Sequence, residues 1–292
     1  MLANVPSPLA TSTISGKARE KLISEFRYLR ANATGTLARF MDFLTHGYMI
    51  DNMALLITGT LHQRDTRELL ERCHPLGVFE TLPVLCVATT VDELYNSVLI
   101  DTPLAPYFRD LSSAALNDLN IEIIRNTLYR AYLEDFHAFC QAELPGPGAE
   151  LMAEVLGFEA DRRAINITIN SFGSTELTRD QRRKLYPTFG KLWPEGSFRL
   201  SHTTDVQGVR EVVESVGEYK CFFEPGQERS LEDLFYRREM EIAKATFTQQ
   251  FTCAVVLAWV KLKEQEIRNV TWIAECIAQR QKDRIGNYIS IF

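Results

Sequence analysis

The side chains that carry most metal and nucleophilic chemistry are few in this chain and badly spaced for it. His62, Cys73 and His74 come nearest to a ligand set. One Cys–His pair, separated from a lone histidine by a gap of ten residues, lacks the spacing of a zinc finger or a zincin helix. His46, His137 and His202 have no Ser, Cys or Asp at a catalytic interval, so any triad would have to be assembled through space. Gly146, Gly148 and Gly157 stand too far from a strand-like run to cradle a phosphate, and they read as helix breakers. These residues point to no metal, no cofactor and no catalytic group.

A second set of polar residues recurs instead. Asp51 and Asn52 precede the apolar run to Ile57, Asp161, Arg162 and Arg163 precede Ala164 to Ile167, and Glu266, Arg268 and Asn269 precede Val270 to Ile273. The acids Asp51, Asp161 and Glu266 are 110 and 105 positions apart, which suggests three copies of one domain-sized unit. Each group sits where a helix face turns from charged to apolar. Half-buried charges are usually paired, so the first expectation is that these eight residues fix how helices cross. The alternative is that some of them meet a partner.

The elements that must position them follow from punctuation and periodicity. Asp65 to Glu68 and Thr178 to Gln181 read as capping boxes, each followed by a proline breaker at Pro75 or Pro187. Thr90 to Glu93 and Thr204 to Gln207 are box-like too, and open the stripes Val91, Leu94, Tyr95, Val98, Leu99 and Val206, Val209, Val213, Val216 at helical spacing. Residues 1–16 read as a loose lead-in, with a helix from about Lys17 carrying Leu22, Phe26 and Leu29. A second helix carries Leu37, Phe40, Leu44 and Tyr48 into the first polar centre. A long helix with Ile121, Ile124, Leu128, Phe136 and Phe139 ends at Pro145 to Gly148. Ser230 and Asp233 open a last helical region that holds no proline or glycine as far as Arg284. Val84 to Ala88 and Ala164 to Ile169 are β-branched but short, and helical patterns flank both. The expected fold is all-α, in three units: 1–118, 119–228 and an incomplete 229–292.

Composition narrows the function classes. The 292 residues are 46% apolar and 24% charged, ordinary for a globular chain with real cores. A net charge of −6 speaks against nucleic acid, which needs a basic face. Six cysteines, among them Cys86 and Cys221, are scattered without paired spacing, and no secretory signal is apparent; they read as reduced and cytosolic. The most apolar run, Phe251 to Val260, is about half of the ~20 residues a membrane helix needs.

At this point longer strings carry a resemblance. YMIDNMALLITGTLHQ (48–63), CHPLG (73–77), NIEIIRNTLYRAYLEDF (120–136), FEADRRA (158–164), LYPTFGKLWPEG (185–196) and VKLKEQEIRNVTWIAECIAQR (260–280) resemble the family of V-type proton ATPase subunit d, itself similar to the C subunit of archaeal A-type ATPases. The resemblance covers the chain from about Pro8 to Phe292. It implies a funnel of three helical domains about a pseudo-threefold axis. The implied role is a non-catalytic peripheral subunit on the cytosolic face of vacuole, lysosome or endosome membranes. There it would couple the central stalk to the proteolipid c-ring so that ATP hydrolysis drives proton transport and acidification, with no small-molecule substrate. Some of Asp51, Asn52, Asp161, Arg162, Arg163, Glu266, Arg268 and Asn269 would then face the stalk.

The family's chains begin several tens of residues earlier. The resemblance therefore implies that an upstream segment normally completes the third unit, leaving Trp259, Trp272 and Phe292 short of cover here and the region from Leu231 to Phe292 least stable. A generic helical-repeat adaptor, or a truncated regulatory variant of the family, is the alternative reading.

Overall fold

The computed structural model describes residues 9–82, 88, 90–109, 111, 121–173, 177–223 and 229–292, and every regular element among them is helical. In order, α1 (Thr11–Asn32) and α2 (Gly35–Leu61) precede a short α3 (Thr66–Arg72) and a 3-10 turn at Pro75–Gly77. Next come α4 (Val91–Asp101), a 3-10 turn at Ala105–Phe108, and the long pair α5 (Ile121–Glu143) and α6 (Gly146–Asn170). Three short helices, α7 (Arg179–Leu185), α8 (Glu195–His202) and α9 (Val206–Val213), lead through a 3-10 turn at Gly217–Phe223. The last long pair, α10 (Leu231–Phe247) and α11 (Ala254–Ala278), is followed by a 3-10 turn at Lys282–Asn287.

Most starts and stops obey local chemistry. Thr178 accepts from the Gln181 amide at 3.4 Å while Gln181 Oε1 accepts from the Thr178 amide at 2.8 Å, a complete capping box. Thr90 caps α4 through the Glu93 amide, and Ser230 caps α10 through the Asp233 amide. Helices α3 and α7 both stop short of their prolines. Pro145 to Gly148 makes a corner: α5 ends at Glu143, and Pro147 lies in the first turn of α6, where its missing amide hydrogen costs no bond.

Several boundaries differ from the sequence reading. Helix α1 begins at Thr11 without a side-chain cap; it packs along α11, and such tertiary contact stabilises a first turn whose Ser, Thr and Gly would not hold alone. The box at Thr204 does not form. Asp205 caps α9 instead, accepting from the Gly208 amide at 2.7 Å. Val206 is thereby left 51% exposed at the open end, and Val212 joins Val209 and Val213 inside. The β-branched run Ala164 to Ile169 lies within α6. Residues 83–87, including Cys86, the breaker at 224–226, and the side chains of Val91, Leu94 and Leu99 lie outside what is described. Cys73, Cys140, Cys221, Cys253 and Cys276 are free thiols, and burial pushes the Cys140 thiol up to about 12.

The apolar side chains gather into three clusters. The largest joins α1, α2, α5 and the start of α6 through Phe26, Phe40, Met53, Phe136 and Met152, and reaches Leu257 and Val260 of α11. The second holds the far half of α6 against α7 to α10, with Phe158, Ile165, Tyr186, Val213 and Phe235. The third is small, with Met240, Ala243, Ala258, Leu262 and Ile289.

The last helices have partial cover where none was expected, with Val270 and Ile277 of α11 left 40% and 57% exposed. Packing of α1 along α11 supplies that cover, Trp259 packs against the first cluster, and Ile289 folds back into the third. Trp272 Nε1 donates to the Arg284 carbonyl at 3.1 Å. Trp272 is nevertheless 36% exposed and Phe292 84%.

Candidate functional site

Three of the polar candidates do the same job on three long helices. Asn52, 2% exposed on α2, donates from Nδ2 to the His74 carbonyl at 3.0 Å and accepts from the His74 amide at 2.7 Å. Asp161, 2% exposed on α6, accepts from the Lys191 amide at 2.8 Å, the Leu192 amide at 3.1 Å and the Tyr219 hydroxyl at 2.7 Å. Asn269 on α11 donates to the Ile289 carbonyl at 2.7 Å and accepts from the Ile289 amide at 3.3 Å. In each case a side chain on a long helix satisfies backbone groups of a segment further along the chain, a requirement for burying that segment.

Similar roles fall on Asn52, Asp161 and Asn269, 109 and 108 positions apart, so that Asp161 shares its role with two asparagines and not with Asp51 or Glu266. Two glycines make the clamps possible. A Cβ at Gly77 would lie under 3.0 Å from the Tyr48 backbone, and one at Gly190, where φ is +111°, under 3.0 Å from Asp161 Oδ1.

Asp51, Arg162 and Arg163 converge elsewhere, on a cavity of about 280 Å³ between α2, α5, α6, α10 and α11. Four carboxylates and four cations line it: Asp51, Glu159, Glu239 and Glu264 with Arg125, Arg162, Arg163 and Lys261. Arg125 pairs with Asp51 at 2.9 Å, Arg162 with Glu159 at 2.7 Å and with Glu232 at 3.8 Å, Arg163 with Glu159 at 2.8 Å, and Lys261 with Glu239 at 3.0 Å. The Arg163 guanidinium also lies 3.4 Å from the centre of the Tyr129 ring. Tyr48 donates its hydroxyl hydrogen to Glu264.

The electrostatics hold Glu159, Glu239 and Lys261 charged. Burial opposes ionisation of Glu159 most, but Arg162, Arg163 and Lys261 outweigh it and bring the carboxyl down to about 2. Glu239 is lowered in the same way, burial being overcome by Lys261 and Arg162. For Lys261, burial is outweighed by Glu239, Glu264 and Glu159, and the ammonium is raised. A balanced network of this kind ties helices in a fixed crossing, because removing one member leaves a buried charge unpaired. Asp161 behaves differently: burial raises it to about 6 although three donors favour its charged form.

Glu266 stands apart, whereas Arg268 reaches the network through Glu239 at 3.9 Å. Glu266 pairs with Lys263 at 2.7 Å on the surface. Arg268 lies 4.2 Å over the Tyr236 ring, donates to Gln265 Oε1 at 3.0 Å, and lines a shallow cleft with Asn269, Trp272 and Tyr288. Arg125, Glu159, Glu239, Lys261, Glu264 and Tyr48 were missed by sequence reasoning, although a charge inside an apolar stripe was available as a signal. Glu239 falls between Phe235 and Ile242 on α10, and Lys261 follows the apolar run of α11.

Three of the five histidines take structural places. His74 stacks on Tyr48 at 4.3 Å, its Nδ1 accepts from the Leu76 amide at 3.3 Å, and burial lowers it to about 4. His46 Nδ1 meets the Tyr107 hydroxyl at 2.9 Å, which donates to Asp135 at 3.0 Å and holds the Ala105–Phe108 turn between α2 and α5. His137 stacks on Phe189 at 4.3 Å. Among the described residues no cluster of His, Cys, Asp or Glu could hold a metal, and no helix is long and apolar enough to cross a membrane.

Comparison with known proteins adds to this geometry. The family model "ATP synthase (C/AC39) subunit" matches residues 1–288. The chain is similar to V-type proton ATPase subunit d of Neurospora crassa, 62% identical over 312 residues that cover 100% of this chain and 85% of the relative. It is 54% identical to V-type proton ATPase subunit d of Saccharomyces cerevisiae over 97% of this chain and 82% of the relative. It is 41% identical to the probable V-type proton ATPase subunit d 2 of Drosophila melanogaster over 94% and 79%.

Proposed function

The chain belongs to the ATP synthase (C/AC39) subunit family, and from that membership we propose that it is a non-catalytic subunit of a V-type proton ATPase. In this reading it joins the central rotor stalk to the proteolipid c-ring, so that ATP hydrolysis drives proton transport and organelle acidification. The observation that carries the reading is 62% identity to a V-type proton ATPase subunit d along the whole chain. The paired, charge-balanced network between five helices supports it, since a part that passes torque has to resist shear between its elements.

Three units, 1–118, 119–228 and 229–292, are the proposed organisation, and the clamps at Asn52, Asp161 and Asn269 support it. Asp51, Arg162 and Arg163 belong to the rigid centre on this reading. Glu266, at the surface, is the candidate left for contact with the stalk, while Arg268 is tied to Glu239 of the centre. The membrane association would be peripheral, on the cytosolic face of endomembranes and through the ring.

The test is co-purification of the tagged chain with the proteolipid ring and stalk from detergent-solubilised endomembranes, followed by proton pumping in complexes rebuilt with it. Recovery of both partners and restored pumping are expected. Recovery of neither from intact complexes would favour a helical adaptor of another assembly.

A further inference from the structure

The helices around the central cavity are not joined equally. The pairs α5–α6 and α10–α11 are continuous through corners of a few residues. Helix α2 is held to α5 by Asp51 with Arg125 at 2.9 Å and by the Tyr129 hydroxyl on the Gly47 carbonyl at 3.0 Å. Helix α6 is held to α10 by Arg162 with Glu232, and α10 to α11 by Lys261 with Glu239. The joint between α2 and α11 has no nearby corner. The two helices have little direct packing: they meet through the hydrogen bond from Tyr48 to Glu264, residues 216 positions apart, and through α1, which runs into α2 and packs along α11.

Tyr48 is gripped for this contact from its other side. Its ring stacks on His74 with 14° between the planes. Both backbone polar groups of His74 are held by Asn52, and Gly77 lies against the Tyr48 backbone where any Cβ would collide. Burial raises the tyrosine hydroxyl well above its ordinary value, so it stays protonated and able to donate. The clamp on α2 therefore also orients the residue that reaches α11.

We propose that the Tyr48–Glu264 hydrogen bond is a latch that closes the helical ring, so that load on one pair of helices is passed to the others instead of opening the α2–α11 joint. The proposal rests on the reading of the chain as a rotor subunit. Tyr48 and Glu264 act as positioning residues: they hold the ring's geometry under load and take no part in chemistry.

The experiment uses whole V-type ATPase complexes carrying Tyr48→Phe, Glu264→Ala, both, or Glu264→Gln, with ATP hydrolysis and proton uptake measured on the same sealed vesicles. The latch requires normal assembly and hydrolysis in Tyr48→Phe and Glu264→Ala, with protons moved per ATP falling about twofold or more, as couplings through packed networks of this size do. The double variant should be no worse than Glu264→Ala alone, because Tyr48→Phe removes only the bond that Glu264→Ala has already removed together with a charge beside Lys261. Glu264→Gln keeps an acceptor and should recover most of the ratio. An unchanged ratio in assembled Tyr48→Phe complexes overturns the proposal. So does failure of both single variants to assemble, since the bond would then serve folding alone. If the unaltered chain joins no complex, the proposed function falls and the latch with it, whereas failure confined to the variants leaves that function standing.

Discussion

Gly190 lies so close to Asp161 that a Cβ on it would stand under 3.0 Å from the carboxylate oxygen Oδ1, at a backbone φ of +111° that L side chains rarely adopt. The two residues come from different parts of the second core, and the close approach lets Asp161 reach the Lys191 and Leu192 amides. Gly190→Ala is expected to destabilise the fold by about 2 kcal/mol or more, combining collision with backbone strain. Gly286→Ala, with open space around it, should change it by only a few tenths. Urea melts of the two variants check this, and equal midpoints would contradict the close packing.

Opposite pH dependences are expected from two buried acids. Glu159 is held at about 2, below its ordinary 4.5. Its contribution is present above pH 4.5 and is lost as pH falls toward 2, amounting to about 3 kcal/mol. Asp161 is raised from 3.8 to about 6. Its folded state holds the proton that the unfolded chain has released, so stability falls by about 3 kcal/mol as pH rises from roughly 4 to 6. Melts from pH 3 to 7 should show the gap between the natural chain and Glu159→Gln shrinking below pH 4.5. The gap to Asp161→Asn should widen as pH falls from 6 to 4. Slopes of the reverse sign would refute the assignment.

The clamps should differ in cost. Asn52→Ala strands two buried backbone groups of His74 and is expected to lose about 2–4 kcal/mol. Asn269 is half-buried, and water can replace it, so Asn269→Ala should lose about 1 kcal/mol. Asn52→Asp keeps the acceptor for the His74 amide but presents no donor to its carbonyl, and should fall between wild type and Asn52→Ala only if solvent enters. Thermal melts of the three variants rank them.

Cover of α11 by α1 gives a prediction for hydrogen exchange. Amides from Leu257 to Leu262 should exchange as slowly as those from Ile124 to Phe136, since both stretches are buried in the joined cores. Removing residues through Asn32 should speed exchange in α11 far more than in α5. Fast exchange of Leu257 to Leu262 in the intact chain would restore the view that the last helices are incomplete.

The sequence by itself determined that the chain is helical, where most helices begin and end, and to which family it belongs. Those features are local or linear: a capping Thr178 or Ser230 needs only residues three positions away, and prolines stop helices whatever lies beyond them. A spacing near 110 residues was also legible, but not which side chains share a role. Acids were aligned because Asp51, Asp161 and Glu266 share a charge, whereas the shared role of Asn52, Asp161 and Asn269 lies in which backbone each side chain meets after folding. Asp51, Arg162 and Arg163 were found without their partners for the same reason. Arg125, Glu159, Glu239, Lys261 and Glu264 reach them from separate helices, and no spacing along the chain encodes that convergence. Tyr48 and Glu264 are the extreme case, 216 residues apart. Their contact exists only because burying the apolar faces of α1, α2, α5 and α11 in one cluster brings the two side chains within reach.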